Sequence, residues 1–355
     1  MIDLLIAGGG PIGLAAAIEA RLAGLTVTVV EPRPGPIDKA CGEGLMPGAV
    51  TALTRLGVDP AGHALTGISY QDHARRVDHA FRHGIGRGVR RTTLHAALGE
   101  RARELGVEFV AGRVESFGQD AGSVTATLGE PGETHGPTGG IRASWMLGAD
   151  GLHSTVRELA GLATPSRRVR RFGLRRHFAV APWNDLVEVH WTRIPGGGSA
   201  EVYVTPVGEL EVGVAVLAPQ HTDYDAAVFS VPRLAARLDG AALTTTTRGA
   251  GPFLQRTRAR TAGRVLLAGD ASGYVDAITG EGIRVGLAQV RAAVECIARG
   301  APDRYERAWR RATRDYRMLT SGLVALGNSP LRPAIVPLAR ALPGVYGSIV
   351  ERLAR

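Results

Sequence analysis

Lysine is almost missing from this chain: Lys39 is the one lysine among 42 basic residues, and the other 41 are arginine. Cysteine is nearly as rare, with Cys41 and Cys296 in 355 residues, too few for a disulfide framework and without metal-ligand spacing. No metal site is therefore expected, and a reducing cytoplasm suits the chain. Aromatic residues make up 5% and offer no stacking constellation for nucleic acid. No apolar run reaches the ~18 residues of a membrane span, which leaves only peripheral membrane contact open. The N-terminus enters an apolar stretch directly, without the basic region and cleavage site of a signal peptide.

What is present is a net charge of +9 and a pI near 10.3, carried by arginine. Guanidinium groups suit phosphate, carboxylate and stacked aromatic partners. An Ala/Gly/Arg-rich composition accounts for the charge equally well, so no nucleic-acid partner is inferred. With 45% hydrophobic residues the chain can bury a large core, and its length predicts two closely packed domains.

Residues 4–7 form a short apolar run ending in glycines, which predicts a buried parallel strand. Residues 14–22 have helical composition, Gly24 stops them, and 26–30 is a β-branched strand, giving a βαβ unit. A helix is predicted over 92–105, strands over 107–111 and 145–149, and ribbon or loop over 120–142. Between 167 and 260 the texture alternates, which predicts an antiparallel sheet with one wet face. A buried-strand texture returns at 265–268, followed by a helix over 281–299. Residues 304–355 read as helices broken by Pro330, Pro333, Pro337 and Pro343. The fold class is therefore α/β: a Rossmann-like domain from 1–166 and 261–300, an inserted sheet domain at 167–260, and helices from 301 to 355.

Gly8-Gly9-Gly10-Pro11-Ile12-Gly13 is a GxGxxG turn between the first strand and helix. Gly8 permits the turn, Gly10 lets a pyrophosphate approach the backbone, and Gly13 lets helix and strand pack closely. Glu31 closes the second strand, placed to accept hydrogen bonds from a ribose. This fingerprint fits NAD as well as FAD.

Two later segments decide between them. Residues 148–157, with Asp150 and Gly151, resemble the "DG" motif of the para-hydroxybenzoate hydroxylase superfamily. Residues 266–271, with Gly269 and Asp270, resemble its "GD" motif. The resemblance spans residues 1–300 or so and implies FAD, with Asp270 on the ribityl chain. It further implies that Arg91, opening an R-x-x-L element, reaches the cofactor, that Val114 contacts adenine through backbone, and that Arg33 approaches the adenosine. Two segments resemble one branch, the geranylgeranyl reductases: Lys39-Ala40-Cys41-Gly42-Glu43-Gly44-Leu45, where that family has K-x-C-G-G-G-L, and Ile278-Thr279-Gly280-Glu281-Gly282-Ile283. That likeness puts Cys41 in the flavin cavity as a candidate catalytic residue. It lays Gly280, Glu281, Gly282 and Ile283 along the isoalloxazine edge, where a helix N-terminus stabilises negative charge.

The departures are specific. Ala277 stands where many relatives have proline, His95 where the reductase branch often has Asp, and the reductase P-x-Y-x-W pattern is not evident near 201–206. The stretch from His190 to Pro195 is similar to a flavin-halogenase motif but lacks its tryptophans and its lysine, so halogenation is rejected. Arg167, Arg168, Arg170, Arg171, Arg175 and Arg176 could greet NAD(P)H or an acidic carrier, or simply be a solvated connection. His177, His190 and His221 read as ordinary surface or core histidines.

Three functions stay open. In the first, NAD(P)H reduces FAD and oxygen is inserted into a hydrophobic small molecule of secondary-metabolite type. In the second, reduced flavin delivers hydride to a carbon–carbon double bond of an isoprenoid or polyketide. The third is a non-catalytic flavin-binding module. The sequence assigns no general acid or base and no oligomeric state.

Overall fold

The computed structural model describes residues 1–129, 140–165, 171–194 and 198–354; Arg167, Arg168, Arg170 and Pro195 lie outside these. Strand Ile2–Ala7 runs parallel to Val27–Glu31 on one side and Gly140–Gly148 on the other. Glu108–Ala111 extends the sheet beyond the second strand, and Val265–Leu267 extends it beyond Gly140–Gly148, both in parallel. Leu4, Leu5 and Ile6 are fully buried, as a parallel strand covered on both faces requires. Helices Pro11–Leu22, Arg91–Glu104 and Gly282–Ala298 supply one covering layer, in which Leu14, Ile18, Leu98 and Val290 interdigitate. Within the predicted ribbon, Val124–Gly129 pairs antiparallel with Arg113–Gln119 and with Gly140–Gly148.

The second sheet is centred on Ser199–Gly208 and Glu211–Pro219, flanked by Arg171–Ala179 and Leu186–Arg193. It also takes in Gly67–Gln71, parallel to Leu186–Arg193, and Arg76–Ala80. A boundary at 167 therefore cuts across this sheet, because two of its strands come from the stretch assigned to the first domain. The expected wet face is absent as well. Nearly every residue of the two central strands is buried. Val202, Val204, Val214 and Val216 pack under the short helices Tyr224–Phe229 and Pro232–Leu238, while Tyr203, Ala215 and Leu217 point into a second apolar cluster. Alternation along a strand separates two faces; it does not say that either is wet.

The C-terminal segment forms helices Tyr305–Gly327, Ile335–Ala341 and Pro343–Ala354. Pro337 does not break its helix, since it sits in the first turn, where no backbone donor is needed. Tyr305 donates its hydroxyl to the Leu267 carbonyl at 2.8 Å, and the Trp309 indole donates to Ser272 Oγ at 2.9 Å. The long helix thereby braces the turn that carries Asp270.

Candidate active site

The glycine turn is built for close approach. Gly8 has φ +105°, and a Cβ there would lie 2.6 Å from the Ala149 carbonyl oxygen; one on Gly13 would lie 1.8 Å from that of Gly8. Gly10, by contrast, faces open space and caps helix Pro11–Leu22 without a side-chain hydrogen bond. The first-turn amides are thus offered to an anion at the positive end of the helix. His95 fixes the turn from behind by donating Nε2–H to the Gly9 carbonyl at 2.9 Å, and burial lowers its pKa, keeping the ring neutral. A neutral donor suits this position, whereas an ionised Asp would face a carbonyl.

Glu31 accepts from the Gly9 amide at 2.8 Å and from Arg33 Nε at 2.7 Å. Burial pushes its pKa up, but the hydrogen bond and charge of Arg33 outweigh that and hold it below the usual range. Gly8, Gly10, Pro11, Ile12, Glu31, Arg33, Arg91, Asp150, Gly151, Gly269, Asp270, Gly280, Gly282 and Ile283 all line one cavity of about 410 Å³. Arg91 Nε is buried with no hydrogen-bond partner among the described residues, an orphan donor that a bound acceptor would satisfy. Asp270 takes a contact from Lys39 Nζ at 3.3 Å, so the chain's single lysine sits on the proposed ribityl ligand.

Three residues stand apart from this lining. Val114 packs in the core with Val124 and Ala126. Gly13 lies behind the turn, a packing position. Glu281 turns away, pairing with Arg284 at 2.5 Å, while its other oxygen is buried without a partner among the described residues; burial raises its pKa to about 7 despite the arginine. Asp150, though in the lining, spends its carboxylate locally: it accepts from Ser154 Oγ at 2.5 Å and from the Val156 amide at 3.0 Å.

Cys41 lines the same cavity, half-buried, and its sulfur accepts from the Glu43 amide at 3.4 Å. Beyond it the second sheet contributes Gly173, Leu174, Tyr203, Ala215 and Leu217, joined by Phe253 and Tyr274. Phe253 and Tyr274 meet edge to face at 6.0 Å. Burial drives the Tyr203 and Tyr274 pKa values well above the normal range, so both phenols stay protonated; Tyr203 donates to the Ile278 carbonyl at 2.7 Å. This end of the cavity is a largely apolar chamber; His153, whose Nε2–H donates to the Gly251 carbonyl at 3.0 Å, is the imidazole in its lining.

The arrangement that sequence reasoning missed is a buried network behind Cys41. Glu43 is a non-glycine residue at φ +59°, in the segment where the similar family carries three glycines. Its carboxylate accepts from the Arg91 amide at 2.8 Å and from His177 Nε2 at 2.5 Å. His177 Nδ1 lies 2.9 Å from Arg175 Nη1; a guanidinium only donates, so Nδ1 accepts and the ring proton sits on Nε2, facing Glu43. Arg175, fully buried, also pairs with Asp38. A solvated role for the arginine run therefore fails at Arg175, and at Arg171, which is buried against Glu201 and Asp276. Arg176 does face outward, over the Tyr224 ring and on Asp225. Of the histidines, His177 and His190 are core residues with carboxylate partners, and His221 is exposed. The one signal available was the glutamate interrupting the glycine run.

Strand–glycine–helix, carboxylate-bearing strand ends and an adjoining apolar chamber define an FAD-dependent oxidoreductase. The chain matches the FAD binding domain family over residues 1–300 and belongs to it, on the para-hydroxybenzoate hydroxylase-like side. It is 28% identical to the menaquinone reductase of Mycolicibacterium smegmatis over 333 residues, covering 86% of this chain and 79% of that protein. It is 32% identical to a rifampicin monooxygenase of Streptomyces venezuelae over 181 residues, 48% of this chain but only 36% of that one. Its fold is that of a flavoprotein/dehydrogenase from Cytophaga hutchinsonii, with TM-score 0.85 at 17% identity, over 99% of this chain and 92% of that one.

Proposed function

We propose that the protein is an FAD-dependent monooxygenase, reduced by NAD(P)H, that oxygenates an apolar small molecule of secondary-metabolite type. The observation that carries this reading is the chamber: a largely apolar space continuous with the cofactor cavity, lined by protonated phenols, with the His153 imidazole held on the Gly251 carbonyl. Bound FAD supplies the electron transfer and dioxygen activation that no side chain can provide. The chain's own residues do the rest. The Gly8–Gly13 turn and first-turn amides hold phosphates, Glu31 and Asp270 meet sugar hydroxyls, and Arg91 offers its unpartnered Nε–H. Gly280 and Gly282 would offer a helix start to the bound cofactor, and Phe253, Leu217 and Leu174 would exclude water from the substrate. The balance is one substrate, one O₂ and one NAD(P)H with a proton, giving hydroxylated or epoxidised product, water and NAD(P)⁺.

A second reading is favoured by one observation, Cys41 in the cavity wall, together with the likeness to a menaquinone reductase along most of that protein's length. Here NAD(P)H and a proton saturate one carbon–carbon double bond of an isoprenoid or polyketide. A panel of alkylphenols, polyketide aromatics and isoprenoid quinones, assayed for substrate-stimulated oxygen uptake with NADH or NADPH, tests the first reading. Stoichiometric uptake supports it; NAD(P)H oxidation with product formed in the absence of oxygen replaces it with the second.

A further inference from the structure

The last two helices meet at a bare apolar corner. Arg332–Ala341, which includes the helix Ile335–Ala341, and Pro343–Ala354 join at an angle of 104°, and the pair together is long and apolar enough to pass as a bent membrane segment, although no single described helix is. Their inner faces are spoken for: Val336, Tyr346 and Val350 are buried in the same apolar cluster as Tyr203, Leu217 and Phe253 of the chamber wall. The outer side is not. Leu331, Leu338, Leu342 and Val345 are 64%, 51%, 52% and 56% exposed, and the last three are held together at the bend, where the Leu342 amide donates to the Leu338 carbonyl and the Val345 amide to the Leu342 carbonyl. A grouped set of half-bare aliphatic side chains at one convex corner is unusual for a surface that meets only water.

The charge pattern narrows the occupant. Between Asp315 and Glu351 the chain has no acidic residue, while Arg317, Arg332 and Arg340 fall within that stretch. Arg332 is committed inward, donating to the Thr192 and Ala200 carbonyls at 2.9 Å, and Arg340 stands exposed on the corner itself. An apolar tip carrying the exposed Arg340, with no acidic residue in its own stretch and Asp78 of the neighbouring strand paired with Arg76, suits an anionic surface, and it disfavours a second copy of this chain, which would bring the same charge to the contact.

We propose that this corner docks on anionic lipid bilayers, inserting Leu338, Leu342 and Val345 to interfacial depth with Arg340 among the headgroups. The surface then holds the apolar cluster behind the chamber against the phase in which apolar molecules concentrate. Docking does not depend on which reaction the flavin performs.

The test is co-sedimentation of the FAD-loaded protein with extruded vesicles. One set is phosphatidylglycerol and phosphatidylcholine, the other phosphatidylcholine alone. The wild type should pellet with the anionic vesicles, and at least ~10-fold less with the neutral ones or at high salt. The triple variant Leu338→Ser, Leu342→Ser, Val345→Ser should lose at least ~10-fold in partitioning while keeping its flavin content and thermal midpoint. Arg340→Glu, which leaves the apolar tip intact, should weaken binding only to the anionic set. Leu210→Ser, at a 73% exposed leucine on the hairpin between the central strands, should change nothing. Three results would overturn the proposal: no binding by the wild type, equal binding by the triple variant, or concentration-dependent self-association in sedimentation equilibrium that the triple variant abolishes. None of them bears on oxygen uptake, so docking and reaction type succeed or fail separately.

Discussion

Replacing Glu43 by glycine sets two opposing effects against each other. The residue sits at φ +59°, where a non-glycine backbone costs on the order of 1–2 kcal/mol, and glycine would recover that. Against it stand two hydrogen bonds to a buried carboxylate, from the Arg91 amide and His177 Nε2, each worth roughly 1.5–3 kcal/mol as bonds to a charged group. Removal also leaves Arg175, fully buried, with Asp38 as its remaining carboxylate and the His177 Nε2–H without an acceptor. The losses exceed the recovered strain, so Glu43→Gly should destabilise the protein by about 2–4 kcal/mol and lower the thermal midpoint by roughly 3–5 °C. Because the Arg91 amide and the Cys41 sulfur both hang on this residue, FAD affinity should fall too, though less than on loss of Asp270. Thermal unfolding by circular dichroism and flavin fluorescence titration read the two effects. A variant as stable as the wild type, or more so, would show that strain outweighs the network and that Glu43 does not hold the Cys41 loop.

Three further outcomes follow from the same geometry. Asp270→Ala should weaken FAD binding by roughly 1.5–3 kcal/mol, about 10- to 150-fold, and an unchanged dissociation constant in folded protein would remove Asp270 from the site. Glu281 and Glu201 have pKa values raised to about 7 by burial, so the native state holds protons that the unfolded chain releases near pH 4.5. Their contribution is fully present below about pH 4.5 and lost as pH rises through 7. Glu281→Gln should therefore flatten the decline in thermal midpoint between pH 5 and 7.5, and a slope equal to wild type would contradict the buried-acid assignment. Cys41→Ser nearly preserves volume and should slow the substrate-dependent step in single-turnover experiments at normal FAD content; a normal rate would leave Cys41 as wall only and strengthen the oxygenase reading.

The cofactor half was legible because its constraints are local. Gly8 and Gly13 are demanded by contacts within a strand–turn–helix, and Asp270 by the end of one strand, so each leaves a short signature. The chamber was not legible, since Leu174, Leu217, Phe253 and Tyr274 come from four distant places and look like any core residue until the sheet brings them together. The two strands between 67 and 80 went unread and fell within the stretch given to the first domain for the same reason: Gly67–Gln71 finds its partner, Leu186–Arg193, over a hundred residues away. The Glu43–His177–Arg175 network spans 134 residues of sequence and is written nowhere as a motif. Only the misfit of a glutamate in a glycine run hinted at it. Arg171 and Arg175 show the converse error, where a run of like charges resembled solvated surface although each had a carboxylate partner waiting on another part of the chain.

The direct test of the central claim is the mass of the product formed under ¹⁸O₂. Purified FAD-loaded protein, supplied with NAD(P)H and whichever panel compound stimulates turnover, should yield product heavier by one ¹⁸O atom and none when oxygen is removed. Product heavier by two hydrogens, unlabelled and formed equally well without oxygen, would contradict the monooxygenase reading and establish double-bond reduction in its place.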